Sequence, residues 1–185
     1  MSSPAERYTG PGAGAIHRLL KVMNALIILA GCIMALTFFC VVILRYGFGA
    51  DLFAYEEWLL VIAFWFFFLA SAVATYRDTH INADILGIFL SRPKTIWFRA
   101  LVVMVIEFLI LIYLSYLGFV MVLEDVTDYP RWQTTIALKI PFLVPRLGIF
   151  MGFLLMTFFT AIALIVHLKT DPNAPLPEER QPEVV

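Results

Sequence analysis

The sequence predicts an all-α integral membrane protein: four transmembrane helices plus a short in-plane amphipathic helix on the cytoplasmic side. Three observations lead there. Of the 185 residues, 62% are hydrophobic and only 15% charged, against roughly 45–50% and 25% in ordinary globular domains, and so small a chain could not bury that excess away from water. Four windows, residues 22–44, 58–76, 100–123 and 147–166, are each apolar over the roughly 20 residues needed to cross a bilayer. All ten prolines lie outside these windows, so no span is visibly broken.

Charge and cysteine usage narrow the class. A net charge of -1 offers no basic excess for nucleic acid. Cys32 and Cys40 are the only cysteines, and both sit within an apolar run, unlike a disulfide framework or a zinc site. Nine of the 13 Lys and Arg residues fall on the side of the two termini and the 77–99 loop, against Arg45, Arg131, Lys139 and Arg146 on the other. By the positive-inside rule both termini are cytoplasmic.

The elements follow in order. Residues 1–15 are rich in Ser, Pro, Gly and Ala and read as a disordered tail. Ile16, Leu19, Leu20 and Met23 have helical spacing, so the first helix begins in the cytoplasmic interface. Its apolar window exceeds the core of a signal peptide and reads as a retained span. Arg45 closes this helix, and Glu56 and Glu57 open the second. Each charge complements the helix dipole at its end. A pairing of Arg45 with Glu56 or Glu57 across the short hairpin could also fix the helix angle or present the carboxylates to a partner. In the second helix, the run Phe64-Trp65-Phe66-Phe67-Phe68 covers every side, so it meets lipid and protein together.

After Arg77, residues 79–90 place Ile81, Ile85, Ile88 and Phe89 at i, i+4, i+7 and i+8, the pattern of a helix lying in the membrane plane. His80 and Asp84 stand one turn apart there and could form an anchoring hydrogen bond; further metal ligands are not evident. Pro93 precedes the third helix, whose only charge within the window is Glu107. A carboxylate in a span is costly unless protonated or paired, so Glu107 reads as a packed acid, an inter-subunit contact or a proton relay. The long connection 124–145 contains Pro130, Trp132, Pro141 and Pro145 and should form a shaped cap on the outer face. Gly148 and Gly152 give the fourth helix a small-xxx-small pair suited to close helix contact. Residues 170–185, with four prolines among charges, read as a second disordered tail.

Taken together, Arg45-Tyr46, Phe48, Glu56-Glu57, Arg77, His80-Ile81, Asp84, the proline before the third helix and the outer run 134–145 resemble the small (Q-type) membrane subunit of tripartite ATP-independent periplasmic (TRAP) transporters. One departure is Leu69-Ala70-Ser71-Ala72, where that family commonly carries a glycine. The resemblance implies a bacterial inner-membrane complex of three chains. A periplasmic binding protein captures an organic anion, often a carboxylate; a large permease subunit moves it with sodium ions by an elevator motion; this chain serves as scaffold beside it. No cofactor is then expected on this chain, and sodium belongs to the large subunit.

Two other classes make different demands. A membrane anchor for a haem- or quinone-binding redox complex needs histidines facing one another at mid-membrane, whereas His17, His80 and His167 fall at cytoplasmic edges. A self-contained small exporter needs charges or helix breaks in its spans, and only Glu107 qualifies.

Overall fold

The computed structural model describes residues 3–10, 12–79, 93–131 and 133–172. They form four helices, α1 (Ala13–Gly47), α2 (Tyr55–Arg77), α3 (Pro93–Thr127) and α4 (Leu143–Leu168), each long and apolar enough to cross a membrane. The expected in-plane helix, from residue 80 onward, lies outside the described residues, and so does the chain beyond residue 172.

Each helix ends for a local reason. At the end of α1 the chain turns through Gly49, at φ +61°, and the Ala50 N–H reaches back to the Leu44 carbonyl (3.0 Å). A left-handed residue in this closure favours glycine because a Cβ there would crowd the backbone. Helix α2 closes likewise through Asp78, with the Thr79 N–H on the Ala74 carbonyl (3.1 Å). Helix α3 opens on Pro93, whose missing N–H would have no intrahelical acceptor in a first turn. Pro145 sits in the first turn of α4 on the same grounds.

The helices stand in a single row, α1, α2, α4, α3, with α4 packed between α2 and α3. In lipid, apolar surface gains little by leaving its surroundings, so helices associate through close approach and a few polar contacts. Both devices are present. A Cβ at Gly148 would lie 3.3 Å from the Trp65 ring, and one at Gly152 only 2.5 Å from the Phe68 Cβ. Gly118 of α3 faces the Phe150 backbone, and Gly31 of α1 faces Phe66. The aromatic run of α2 thus divides as its composition predicts: Trp65 and Phe68 enter α4, Phe66 meets α1, and Phe67 is exposed. Phe159, with no exposed surface, stacks edge-on with Tyr76 at the centre of the core. The polar ties are Trp65 Nε1–H to the Val144 carbonyl (3.1 Å) and Ser115 with Thr157 (2.9 Å).

The N-terminal stretch expected as a tail makes contacts of its own. Ser3 and Glu6 bond each other's backbone N–H, and the Ser3 hydroxyl donates to the Tyr76 carbonyl at the end of α2. Ala5 is buried against the same core as Ile16, Leu20 and Met23. Composition gives no sign of this, because Ser3 reaches the end of α2 through a single hydroxyl, which needs no apolar periodicity.

Candidate functional site

Three groups of side chains are candidates, one at each of the two faces where the helices end and one within the row. At the face of the α1–α2 hairpin, Arg45 does not reach Glu56 or Glu57. Its Nε and NH2 groups bond Asp51 Oδ1 at 3.1 and 3.0 Å, and this hydrogen bond, with the aspartate charge, raises the Arg45 pKa further. Asp51 wins because the turn after Gly49 brings it back over the last turn of α1, whereas Glu57 begins a separate helix.

Glu57 has a different task. The Ala137 N–H donates to its Oε1 (2.8 Å) and the Leu138 N–H to its Oε2 (2.7 Å). The segment so held is a tight turn: Thr134 bridges Pro141, Thr135 and Ile140 exchange backbone and hydroxyl bonds, and Lys139 takes φ +56°. Successive N–H groups in such a turn form a concave anion site, and Glu57 fills it. The Thr135 hydroxyl, followed by these N–H groups, lowers the Glu57 pKa. Glu57 stands just before the span 58–76, so water reaches it and the carboxylate is ionised at neutral pH.

The same face carries a pair that the sequence reading did not single out. Asp125, near the end of α3, accepts from Arg146 NH1 in the first turn of α4, with side chains 12% and 31% exposed. Opposite charges at the facing ends of two antiparallel helices were the available signal. Above this platform Ile136 is 88% exposed, with Tyr46, Phe48, Phe53 and Tyr129 also exposed. The surface has the aromatic character of a membrane interface or a docking rim.

Within the row, Gly148 and Gly152 are buried against α2, a contact inside this chain. Glu107 is not enclosed between helices; it is exposed on α3. At the face of the termini, Arg77 closes α2, where a cation complements the helix dipole. His80 and Asp84 lie outside the described residues. His167 stacks on Trp97 (5.0 Å between ring centroids) and its Nε2 donates to the Trp97 carbonyl (3.1 Å), clamping the ends of α3 and α4. Among the described residues no three His, Cys, Asp or Glu side chains converge on a metal position.

Among the described residues this geometry holds helices and a loop in place. Residues 33–170 match a family model described as tripartite ATP-independent periplasmic transporters, DctQ component. No curated protein matches the chain.

Proposed function

The chain belongs to the DctQ family, a component of tripartite ATP-independent periplasmic transporters and not an enzyme, and from that premise we propose that it is the bracing subunit of the complex. In this reading it stands beside a large permease subunit in the inner membrane and supplies fixed helices against which the moving part of that subunit works. Uptake is driven by an ion gradient, with sodium bound by the large subunit. The cargo is an organic anion of carboxylate type, handed over by a periplasmic binding protein. Both termini face the cytoplasm, and the Glu57-anchored turn faces the binding protein.

One observation carries the proposal: four uninterrupted helices locked by glycine–aromatic contacts and end clamps. Ion and substrate sites in secondary transporters are usually built at broken helices near mid-membrane, and stiffness without such breaks suits a support. The test is reconstitution. Liposomes holding this chain with its large subunit and binding protein should show sodium-dependent uptake, and omitting this chain should abolish it. Sodium-driven uptake by this chain alone would refute the bracing role.

A further inference from the structure

The segment before α1 walls a cavity at the face of the termini. The Ser3 hydroxyl holds the Tyr76 carbonyl at the end of α2 and Ala5 is buried in the core, which lays residues 7–10 beside the end of α4. The space between them is about 390 Å³, within the range of about 300–1,000 Å³ usual for small-molecule sites. Arg7 and Lys169 line it, one from each element, and Ile165 and Val166 form its apolar wall. Among the described residues no carboxylate lines it, and Glu6 is turned to the Ser3 N–H (3.0 Å). The end of a helix repels an anion through its open carbonyls, but the Val166 carbonyl already accepts from the Thr170 hydroxyl (3.0 Å) and the Lys169 N–H (3.2 Å). Arg7 also interacts within the chain, and a guanidinium has donors enough to keep that contact and hold a phosphate.

The cavity opens onto the membrane. Ile165 is 47% exposed, and Phe158 and Leu154, 46% and 43% exposed, lie on the same side of α4, seven and eleven residues earlier. From Ile165 to Leu154 this stripe runs about 16 Å, half of a hydrocarbon core about 30 Å thick. One acyl chain covers that length while its headgroup reaches the cavity.

We propose that this cavity binds the phosphate headgroup of an acidic phospholipid, with Arg7 and Lys169 as its cationic contacts and one acyl chain along Ile165, Phe158 and Leu154. Basic pockets beside membrane helices on the cytoplasmic side suit such headgroups. A protein helix could cover the apolar stripe, but it would not account for two cations around a cavity at the head of that stripe. The site is independent of the bracing role, and either can fail without the other.

The test is lipid binding to the purified full chain, followed by native mass spectrometry. Dioleoylphosphatidylglycerol should bind at least about ten-fold more tightly than dioleoylphosphatidylcholine, since two cations meet its net charge. Arg7→Ala and Lys169→Ala should each weaken phosphatidylglycerol about five-fold, as expected for one cation at a membrane surface. Arg18→Ala with Lys21→Ala, on the same face but outside the cavity, should change it by less than about two-fold. Equal binding of the two lipids, or an equal loss from the Arg18 and Lys21 pair, would overturn the site. Tighter binding of inorganic phosphate than of phosphatidylglycerol would mark a soluble-anion site and overturn the lipid assignment. Because a substitution could disturb the N-terminal segment, a photocrosslinking amino acid is also placed at Phe158 of the otherwise unchanged chain in the co-expressed complex. Phospholipid adducts there support the proposal, and adducts with another protein subunit overturn it.

Discussion

Replacing Gly152 with alanine should weaken the joint between α2 and α4 by about 2 kcal/mol. The added Cβ would sit 2.5 Å from the Phe68 Cβ, 2.9 Å from its Cδ1 and 3.1 Å from its Cγ, where carbon atoms prefer about 3.5–4.0 Å. The nearest of these atoms is fixed to the backbone, so a change of rotamer cannot clear it and the helices must part by about 1 Å. They are not free to do so, because Trp65 ties α2 to the Val144 carbonyl at the start of α4. Overpacking of this kind costs about 1–3 kcal/mol, and this contact belongs at the upper end. Alanine returns about 1 kcal/mol through its better helix propensity. A net 2 kcal/mol corresponds to a fall in melting temperature of about 4–8 °C for a domain of this size. Gly148→Ala is the matched control. Its Cβ would meet the Trp65 ring at 3.3 Å, a contact that a few tenths of an ångström relieve, so its melting temperature should stay within about 2 °C of wild type. Thermal unfolding of the detergent-purified protein followed by size-exclusion fluorescence measures both. A Gly152→Ala protein as stable as wild type, or a Gly148→Ala protein equally weakened, would refute the reasoning.

Three further outcomes are expected. Glu57→Ala should free the turn at residues 133–142, seen as faster proteolytic cleavage near Ile136 with the helices intact; exchanging the charges of Arg45 and Glu57 should not restore protection, because they meet different partners. Since hydrogen bonding holds the Glu57 pKa below the ordinary carboxylate value, that protection should persist above the unfolded pKa and be lost only as pH falls through the depressed folded value. Asp125→Asn should cost about 1.5–3 kcal/mol by leaving Arg146 without its charged acceptor, measured by the same thermal assay. Impermeant thiol reagents applied outside the cell should label Ile136→Cys and spare Lys94→Cys; the reverse pattern would invert the topology.

Each of the four apolar windows falls inside one helix, and every helix runs further than its window. Helix α3 was expected over 100–123 and runs from Pro93 to Thr127, because its ends carry Lys94, Arg99, Glu124 and Asp125, which favour water without ceasing to be helical. The glycines of α4 were legible as close-contact positions, since few other roles explain a small-xxx-small pair in a span; that their partners are Trp65 and Phe68 was not, because nothing in the sequence states the order of the row. The partner of Glu57 was hidden for a deeper reason. It is a set of backbone N–H groups 80 and 81 residues away, and backbone donors leave no trace in residue identity. Asp51 is hard to read as the mate of Arg45, because it lies in the turn between the helices and only the backbone reversal after Gly49 brings it back to the end of α1.

The position of α4 in the row bears on how the protein is made. Insertion proceeds from the N-terminus, so α1 and α2 can associate as a hairpin as soon as both are in the membrane. Helix α3 then enters with its natural neighbour still inside the ribosome, and waits in lipid with Gly118 and Asp125 uncovered. Only when α4 arrives do α2 and α3 become connected, through a wedge that must slip between helices already present. Biogenesis of this domain is therefore completed by its last span, and a chain interrupted within α4 would leave one stable hairpin and one orphaned helix as a substrate for membrane proteases.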